Sequence, residues 1–513
     1  MQAKKFIFLG LIAVAAVAAF FSSTGCANIV PPGGGPRDSL PPVLVKANPQ
    51  DSMLGFNNNR ITFTFDEYVE LDNYQQNLIV SPVPESMPVV NRNLQTVTVR
   101  LRDTLEPNTT YTLDFGNSIK DVNEGNIFRN FTYTFSTGAY FDSLRFSGRI
   151  LLAETGDTDS TMTIMLHRSG DDSALVKQKP RYVTRPDNKG GFTFKNLPPG
   201  TYYLYALKDE SGSYRYFDKQ ALFAFADSAI TITGAGTDSV TLYAYTEPRE
   251  EKTTSTPVNI KTIKSEDRRI KIATSLENER QDLLKPFSMD FITPIKEFDS
   301  SKVRFATDTT FAEVTGYSWQ FDSLRKKLSL QHAWKENTLY HLMLEKDFAT
   351  DTLGFQLFKA DTISFTTKRL NEYGKVNIRF RNLEQYTHPI LLFVQSNRIS
   401  QSIPLTGNTL NIGLFPPGEY DLRILDDKNQ NGVWDAGRFF GERRQPEIVR
   451  PLNRKLTIKP GVDVPVEIDA ADIRRPGPAE TGAPGINAVP GQQPAPRRQP
   501  GLLSGERPLL RGN

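Results

Sequence analysis

From about residue 41 to residue 470 the chain alternates apolar and polar positions with a period of two. Ile61, Phe63 and Phe65 fall on one side of their segment, as do Val97, Val99 and Leu101 further on. Tyr111, Leu113 and Phe115 repeat the pattern, and Phe131, Tyr133 and Phe135 close it. Such alternation marks a strand with one face in a core and the other in water. Gly, Pro, Asn and Asp clusters interrupt the strands at the spacing of a β-sandwich. The pattern predicts an all-β chain.

The alternation also repeats at long range. Asn108-Thr-Thr-Tyr-Thr-Leu113 returns as Asn337-Thr-Leu-Tyr-His-Leu342, and Phe131–Thr137 returns as Asp361–Thr367. Leu197-Pro-Pro-Gly-Thr-Tyr-Tyr-Leu204 returns as Phe415-Pro-Pro-Gly-Glu-Tyr-Asp-Leu422. Two kinds of module, each present twice in the order A–B–A′–B′, account for both repeats. Four domains of about 100 residues result, the usual size of a sandwich. The boundaries read as A 41–138, B 139–247, a charged, Thr-rich linker 248–257, A′ 258–368 and B′ 369–470. The Pro-, Gly- and Arg-rich stretch 471–513 reads as a disordered tail.

Module A resembles the bacterial Ig-like domain of surface-layer proteins. The residues that carry this are Pro41-Pro-Val43, Ile61–Glu67, Leu105–Leu113, Ile119–Asn126 and Tyr133–Thr137. A′ keeps the Asn-Thr-x-Tyr element and the Phe-Thr-Thr ending, with Asp351-Thr-Leu-Gly354 in place of the Asp-Val-Asn-Glu-Gly turn. Module B, through Leu-Pro-Pro-Gly and Tyr-x-Leu, is similar to the prealbumin-like sandwiches of carboxypeptidase regulatory domains and adhesin stalks. In that reading Pro fixes a tight turn and Gly200 or Gly418 takes a positive φ.

Met1–Lys5 carries two lysines, Phe6–Phe21 is apolar, and Ser23-Thr-Gly-Cys26 comes next. A positive start, a short apolar run and small residues describe a secretory signal, residues 1–25. Cys26 is the only cysteine of the chain, so no intramolecular disulfide is available to it. Its context resembles the bacterial lipobox, with Ser23 where Leu is usual, which implies acylation of Cys26. Residues 26–40, with Pro31-Pro-Gly-Gly-Gly-Pro36, read as a lipidated flexible tether. Together these features resemble a class of Bacteroidota envelope lipoproteins. That resemblance implies a lipid-anchored place at the outer membrane, with the face it occupies left open.

Composition narrows the partners. Among 513 residues the 61 basic and 58 acidic side chains give a net charge of +3. Loss of Lys4 and Lys5 brings the mature chain closer still to neutral. Nothing in that balance draws a nucleic acid.

One stretch has the spacing of a cation loop. In Asp427-Lys-Asn429-Gln-Asn431-Gly-Val433-Trp-Asp435, side-chain oxygens alternate and Gly432 supplies a sharp turn. This matches the first half of a Ca²⁺-binding loop, with the Val433 carbonyl and Asp435 as further oxygens. The second half departs from it, because Arg438 stands where a bidentate Glu belongs. Two readings therefore stand side by side, a weak Ca²⁺ site and an Asx turn satisfied by its own backbone. The counterpart in B, Asp209-Glu-Ser-Gly-Ser-Tyr214, reads as a plain turn.

No other spacing points to catalysis. His167, His332, His341 and His388 are scattered. Ser318 in Gly316-Tyr-Ser-Trp-Gln320 lacks the second Gly of a nucleophile elbow. Asp66-Glu67 ends a strand. Trp434, Tyr214, Tyr216 and Phe217 fit either an exposed aromatic platform or a core. The expected function is a non-catalytic outer-membrane lipoprotein, a structural or interaction subunit beside an integral β-barrel protein in assembly, export or motility. The alternative is a glycan-binding or adhesive surface protein.

Overall fold

A computed structural model describes residues 38–234, 239–248, 269–463 and 465–477. The signal segment, Cys26, most of the linker and residues 478–513 lie outside the described residues. One compact unit ends at Asp142 and a second begins at Ser143. Nearly all regular structure is strand, and no described helix is long and apolar enough to cross a membrane.

In the first unit one sheet runs Leu44–Asn48, Arg60–Phe65, Thr96–Arg100, Val89–Asn93. It faces a second, Phe131–Ser136, Thr110–Gly116, Ile79–Ser81. The alternating apolar side chains fill the space between the two sheets. The Phe63 ring meets Phe131 and Tyr133 edge-on at 5.0 and 5.2 Å. Each such buried side chain contributes about 1.5–3 kcal/mol.

Among the described residues the second unit holds cores around Phe146–Ala244, Ile270–Phe365 and Val376–Ala470. The middle one repeats the strand pairing of the first unit. Ile272–Thr274, Phe287–Phe291, Lys327–Gln331 and Ser318–Phe321 stand in the same order as the sheet that begins at Leu44. B and B′ also share one topology. In B the first strand, Leu144–Leu152, pairs antiparallel with Gly191–Leu197 and parallel with Val240–Ala244. In B′ Gly374–Arg381 pairs antiparallel with Thr409–Phe415 and parallel with Pro465–Asp469. The opposite sheets run Tyr182–Thr184, Thr163–His167, Gly200–Leu207, Phe223–Phe225 and Arg398–Pro404, Pro389–Gln395, Gly418–Asp426, Val449–Ile458.

The repeated motifs are corner pieces. Asn108 and Asn337 take φ of 50° and 47°, a conformation Asn tolerates better than most residues. The Thr109 and Thr338 amides then donate to Thr137 Oγ1 and Thr367 Oγ1 at 3.0 and 2.9 Å. The Tyr111 and Tyr340 hydroxyls accept from the amides of Glu106 and Lys335 at 2.9 and 3.4 Å. Asp121 and Asp351 are counterparts as well. Each is 1% exposed, and each caps its own turn with carboxylate-to-amide hydrogen bonds. The shorter Asp351 turn thus preserves the physics of the longer one.

In Leu-Pro-Pro-Gly the fastening group is the tyrosine two residues beyond the glycine. The Tyr202 hydroxyl donates to the Pro198 carbonyl at 3.2 Å, and Tyr420 to Pro416 at 3.0 Å. The expected positive φ is absent at Gly200, and Gly418 stands at 156°; at this corner of B the left-handed residue is Asn196, at 56°. The turn is tied by the tyrosine, so Gly200 can enter its strand extended.

A′ meets B′ through side chains. Arg280 forks onto Glu372 at 2.6 and 2.8 Å, and the Tyr373 hydroxyl donates to Asp282 at 2.9 Å. Residues 471–477, placed by the sequence in the tail, instead pack on the body. Ile473 bridges to Leu452, Arg474 bonds Asp157 at 2.5 Å, and the Thr158 amide donates to the Gly477 carbonyl at 2.8 Å. One apolar residue and one arginine, each with a fitted partner, order a stretch whose composition reads as disordered.

Candidate functional site

The site grows from the connection after the fifth strand of each B-type module. In B, Asp209 closes the turn. Its Oδ1 accepts from the Ser211 amide at 2.9 Å and its Oδ2 from the Tyr214 amide at 2.5 Å. In B′ the same position begins the excursion 427–448. Asp427, 2% exposed, accepts from the Asn431 and Gly432 amides at 3.3 and 2.8 Å. Gly432 stands at φ 81°, where other L-residues are strained. Asn431 Oδ1 accepts from the Val433 amide at 2.9 Å, and Asn429 and Asn431 donate Nδ2 to Asp435 Oδ2 at 2.6 and 2.7 Å.

Asp427, Asn429, Asn431, Val433 and Asp435 are thus drawn together by hydrogen bonds that the loop makes with itself, the arrangement of nested Asx turns. A Ca²⁺ ion at this place requires both Asn side chains to turn and lend Oδ1. Glu447, which the loop spacing could not reveal, adds a third carboxylate. Its Oε1 and Oε2 accept from the Lys428 and Asp435 amides at 2.9 and 3.1 Å. Burial raises the Glu447 carboxyl above its usual range, helped by the nearby Asp427 and Asp435 charges and opposed by those amides. Among the described residues no group of three or more His, Cys, Asp or Glu is arranged to hold a metal ion.

Beyond the loop the chain turns back at Gly441, and Arg438 and Arg444 pair backbone to backbone in both directions at 2.8 Å. This hairpin is set against module B. Phe439 is fully buried among Tyr205, Phe223 and Phe225, with ring centroids 5.8, 5.2 and 5.3 Å away. Phe440 lies parallel to Tyr216 at 5.8 Å, and Tyr216 stacks on Phe223 at 4.1 Å. Gly437 lets the backbone approach Tyr245, since a Cβ there would lie 2.6 Å from the ring. Arg443 caps the cluster, 4.5 Å over the Phe439 ring and paired with Asp172. Gln445 Nε2 donates to the Phe225 carbonyl at 3.0 Å and to Asp227 at 2.8 Å. The Val449 amide donates to the Ala153 carbonyl at 2.8 Å. Edge-to-face aromatic pairs are worth about 0.5–1.5 kcal/mol beyond their burial, so several of them make this a tight seam.

The aromatic alternatives divide accordingly. Tyr216 and Trp434 are buried, the latter donating Nε1 to the Glu447 carbonyl at 2.8 Å, and only Phe217 of the expected platform is largely exposed. The histidines stay apart. His167 is buried against Tyr205 at 5.5 Å, and burial lowers its pKa to about 4. His341 Nδ1 lies 2.8 Å from Ser364 Oγ, and burial lowers His332 among Phe305 and Trp334. Ser318 begins an edge strand. Asp66 Oδ1 accepts from the Val43 amide at 2.8 Å, and burial, then the Asp121 and Asp66 charges, raises Glu67. Cys26 lies outside the described residues.

The profile of the bacterial Ig-like domain family matches residues 38–137, which places module A in that fold. No curated protein matches the chain. Among solved structures it is similar to BcpA, the major pilin subunit of Bacillus cereus, at 10% identity over 64% of this chain and 99% of that one, with a TM-score of 0.15. The N-terminal part of the bacterial S-layer protein SbsC is 18% identical over 36% of this chain and 40% of that one, TM-score 0.14. An Escherichia coli alpha-2-macroglobulin fragment covers 61% of this chain and 96% of its own at 11% identity, TM-score 0.15.

Proposed function

We propose that this chain is a non-catalytic protein of the bacterial cell envelope, a string of four β-sandwich domains held to the outer membrane by acylated Cys26. It acts as a structural or interaction subunit. The observation that carries the reading is the hairpin Arg438–Arg444 seated on module B. Modules that share a buried aromatic seam hold a fixed spacing, as a spacer or scaffold needs. The partner we favour is an integral β-barrel protein of the outer membrane, in a machine for assembly, export or motility. Support for the anchor comes from the residues around Cys26.

Two experiments test this reading. Labelled fatty acid enters the wild-type chain and not Cys26→Ser; equal labelling of both, or of neither, removes the anchor. Purified in mild detergent, the wild-type chain brings a β-barrel protein with it. Purification alone, together with binding to a polysaccharide, favours the adhesive alternative.

A further inference from the structure

We propose that the seam between B and B′ carries a binding cleft for an acidic saccharide. The inference goes beyond the scaffold role and holds whether or not Cys26 is acylated. A cleft of about 530 Å³ opens between Lys219, Gln220, Glu247 and Pro248 on one side and the docked hairpin on the other, within the range of small-molecule sites. Its walls combine one orphaned carboxylate, a cationic rim and an aromatic face.

The carboxylate is Glu247, 9% exposed. Its amide donates to the Lys219 carbonyl at 3.2 Å and its carbonyl accepts from Gln220 Nε2 at 3.0 Å, so its backbone is fixed. Its Oε1 is buried with no hydrogen-bond partner, and its Oε2 has Lys219 Nζ only at 3.9 Å, beyond hydrogen-bonding range. The hydroxyls of Tyr216 and Tyr245 are likewise buried and unpartnered. Both phenols are held above their ordinary range by burial, and Glu247 adds to it. Three polar atoms left unpaired at one seam are rare, because each forfeits hydration without return. Of the three residues Glu247 lines the cleft, and what suits its carboxylate is a ligand that donates a hydrogen bond, as a sugar hydroxyl does, directly or through a water it holds.

The rim has the opposite charge. Lys219, Arg438 and Arg444 line the cleft. Arg444 stands 3.8 Å from Asp435, too far for a hydrogen bond, and spends one donor on the Ala436 carbonyl at 3.1 Å. Two guanidinium groups at a cleft mouth suit a carboxylate, which either can grip with two parallel hydrogen bonds. Phe440 offers an apolar face to a pyranose ring. A neutral sugar leaves the cationic rim unused, and a bare anion leaves Glu247 unmet. The combination selects a sugar acid.

The test uses the full chain in mild detergent, titrated calorimetrically with glucuronic, galacturonic and N-acetylneuraminic acids, with glucose and inorganic phosphate as comparators. The expected result is binding of at least one sugar acid, about tenfold tighter than glucose or phosphate. Glu247→Gln weakens it about tenfold, and so does Arg438→Glu, an exposed change that leaves the melting temperature in place. No heat from any sugar acid at millimolar concentration overturns the proposal. Equal affinity for glucose, or for phosphate, overturns it too, as does an Arg438→Glu protein that binds like the wild type.

Discussion

Modules B and B′ share strand order, pairing sense and the Pro-Pro-Gly-x-Tyr corner, yet they differ in the connection that leaves their fifth strand. In B this connection closes on Asp209 and sends out no hairpin of its own, its Tyr216 instead receiving Phe440 of B′. In B′ it continues from the Asp427 loop into a hairpin that buries Phe439 in B. The lesson is that a duplicated sandwich keeps its core while one connection acquires the contacts that fix it to its sibling. The Asp427–Asp435 turn is the rigid base of that connection, because Glu447 ties its two ends through Lys428 and Asp435.

The comparison breaks most easily at Phe439. Phe439→Ala is expected to cost about 3–5 kcal/mol in denaturant unfolding of the region it fills. An equally stable variant would mean the seam is incidental. Next comes pH. Tyr205 touches both Phe439 and His167, and the B′ strand equivalent to that of His167, Pro389–Gln395, has no histidine. With the folded pKa near 4 and the unfolded value near 6.5, the unfolded chain takes the proton first. Stability is therefore complete above about pH 6.5 and declines as pH falls toward 4, by up to about 3 kcal/mol. Thermal melts of His167→Phe across that window should lack this component; an identical slope in both proteins would refute it.

Smaller effects sharpen the contrast. Gly437→Ala forces a methyl into the Tyr245 ring and should lose about 1–3 kcal/mol by chemical denaturation. Asp209→Ala and Asp427→Ala both free half-buried amides, at about 1–2 kcal/mol each. If the longer loop takes Ca²⁺, millimolar Ca²⁺ raises the melting temperature of wild type and not of Asp427→Ala; a temperature indifferent to Ca²⁺ and to chelator leaves only the Asx turn. Smallest is Arg443→Ala, whose pair with Asp172 is solvent-exposed, at about 0.2–1 kcal/mol.

Much of the fold was legible in the sequence because the period-two alternation at Ile61–Phe65 and Tyr111–Phe115 states directly which side chains face inward. The repeats pointed to two kinds of corner, although the residue that fixes the second is Tyr202, not Gly200. The seam was not legible. Phe439 and Phe440 sit in a run of Gly, Arg and Glu with no alternation, so nothing local marks them as buried; their partners lie some two hundred residues earlier, and only the fold brings the two stretches together. Glu447 was missed for a related reason, since it reaches the Asp427 loop from beyond the hairpin and not from the twelfth loop position. Arg474 and Gly477 were hidden by the composition of the stretch beyond them.

The most direct test of the seam is amide hydrogen exchange of wild type beside Phe439→Asp, read by mass spectrometry. The account predicts that peptides covering Tyr205 and Phe223–Phe225 lose protection by orders of magnitude in the variant, while those covering Phe63 and Phe115 are unchanged. Retained protection at Phe223–Phe225 would contradict it, and B and B′ would then have to be regarded as separate beads.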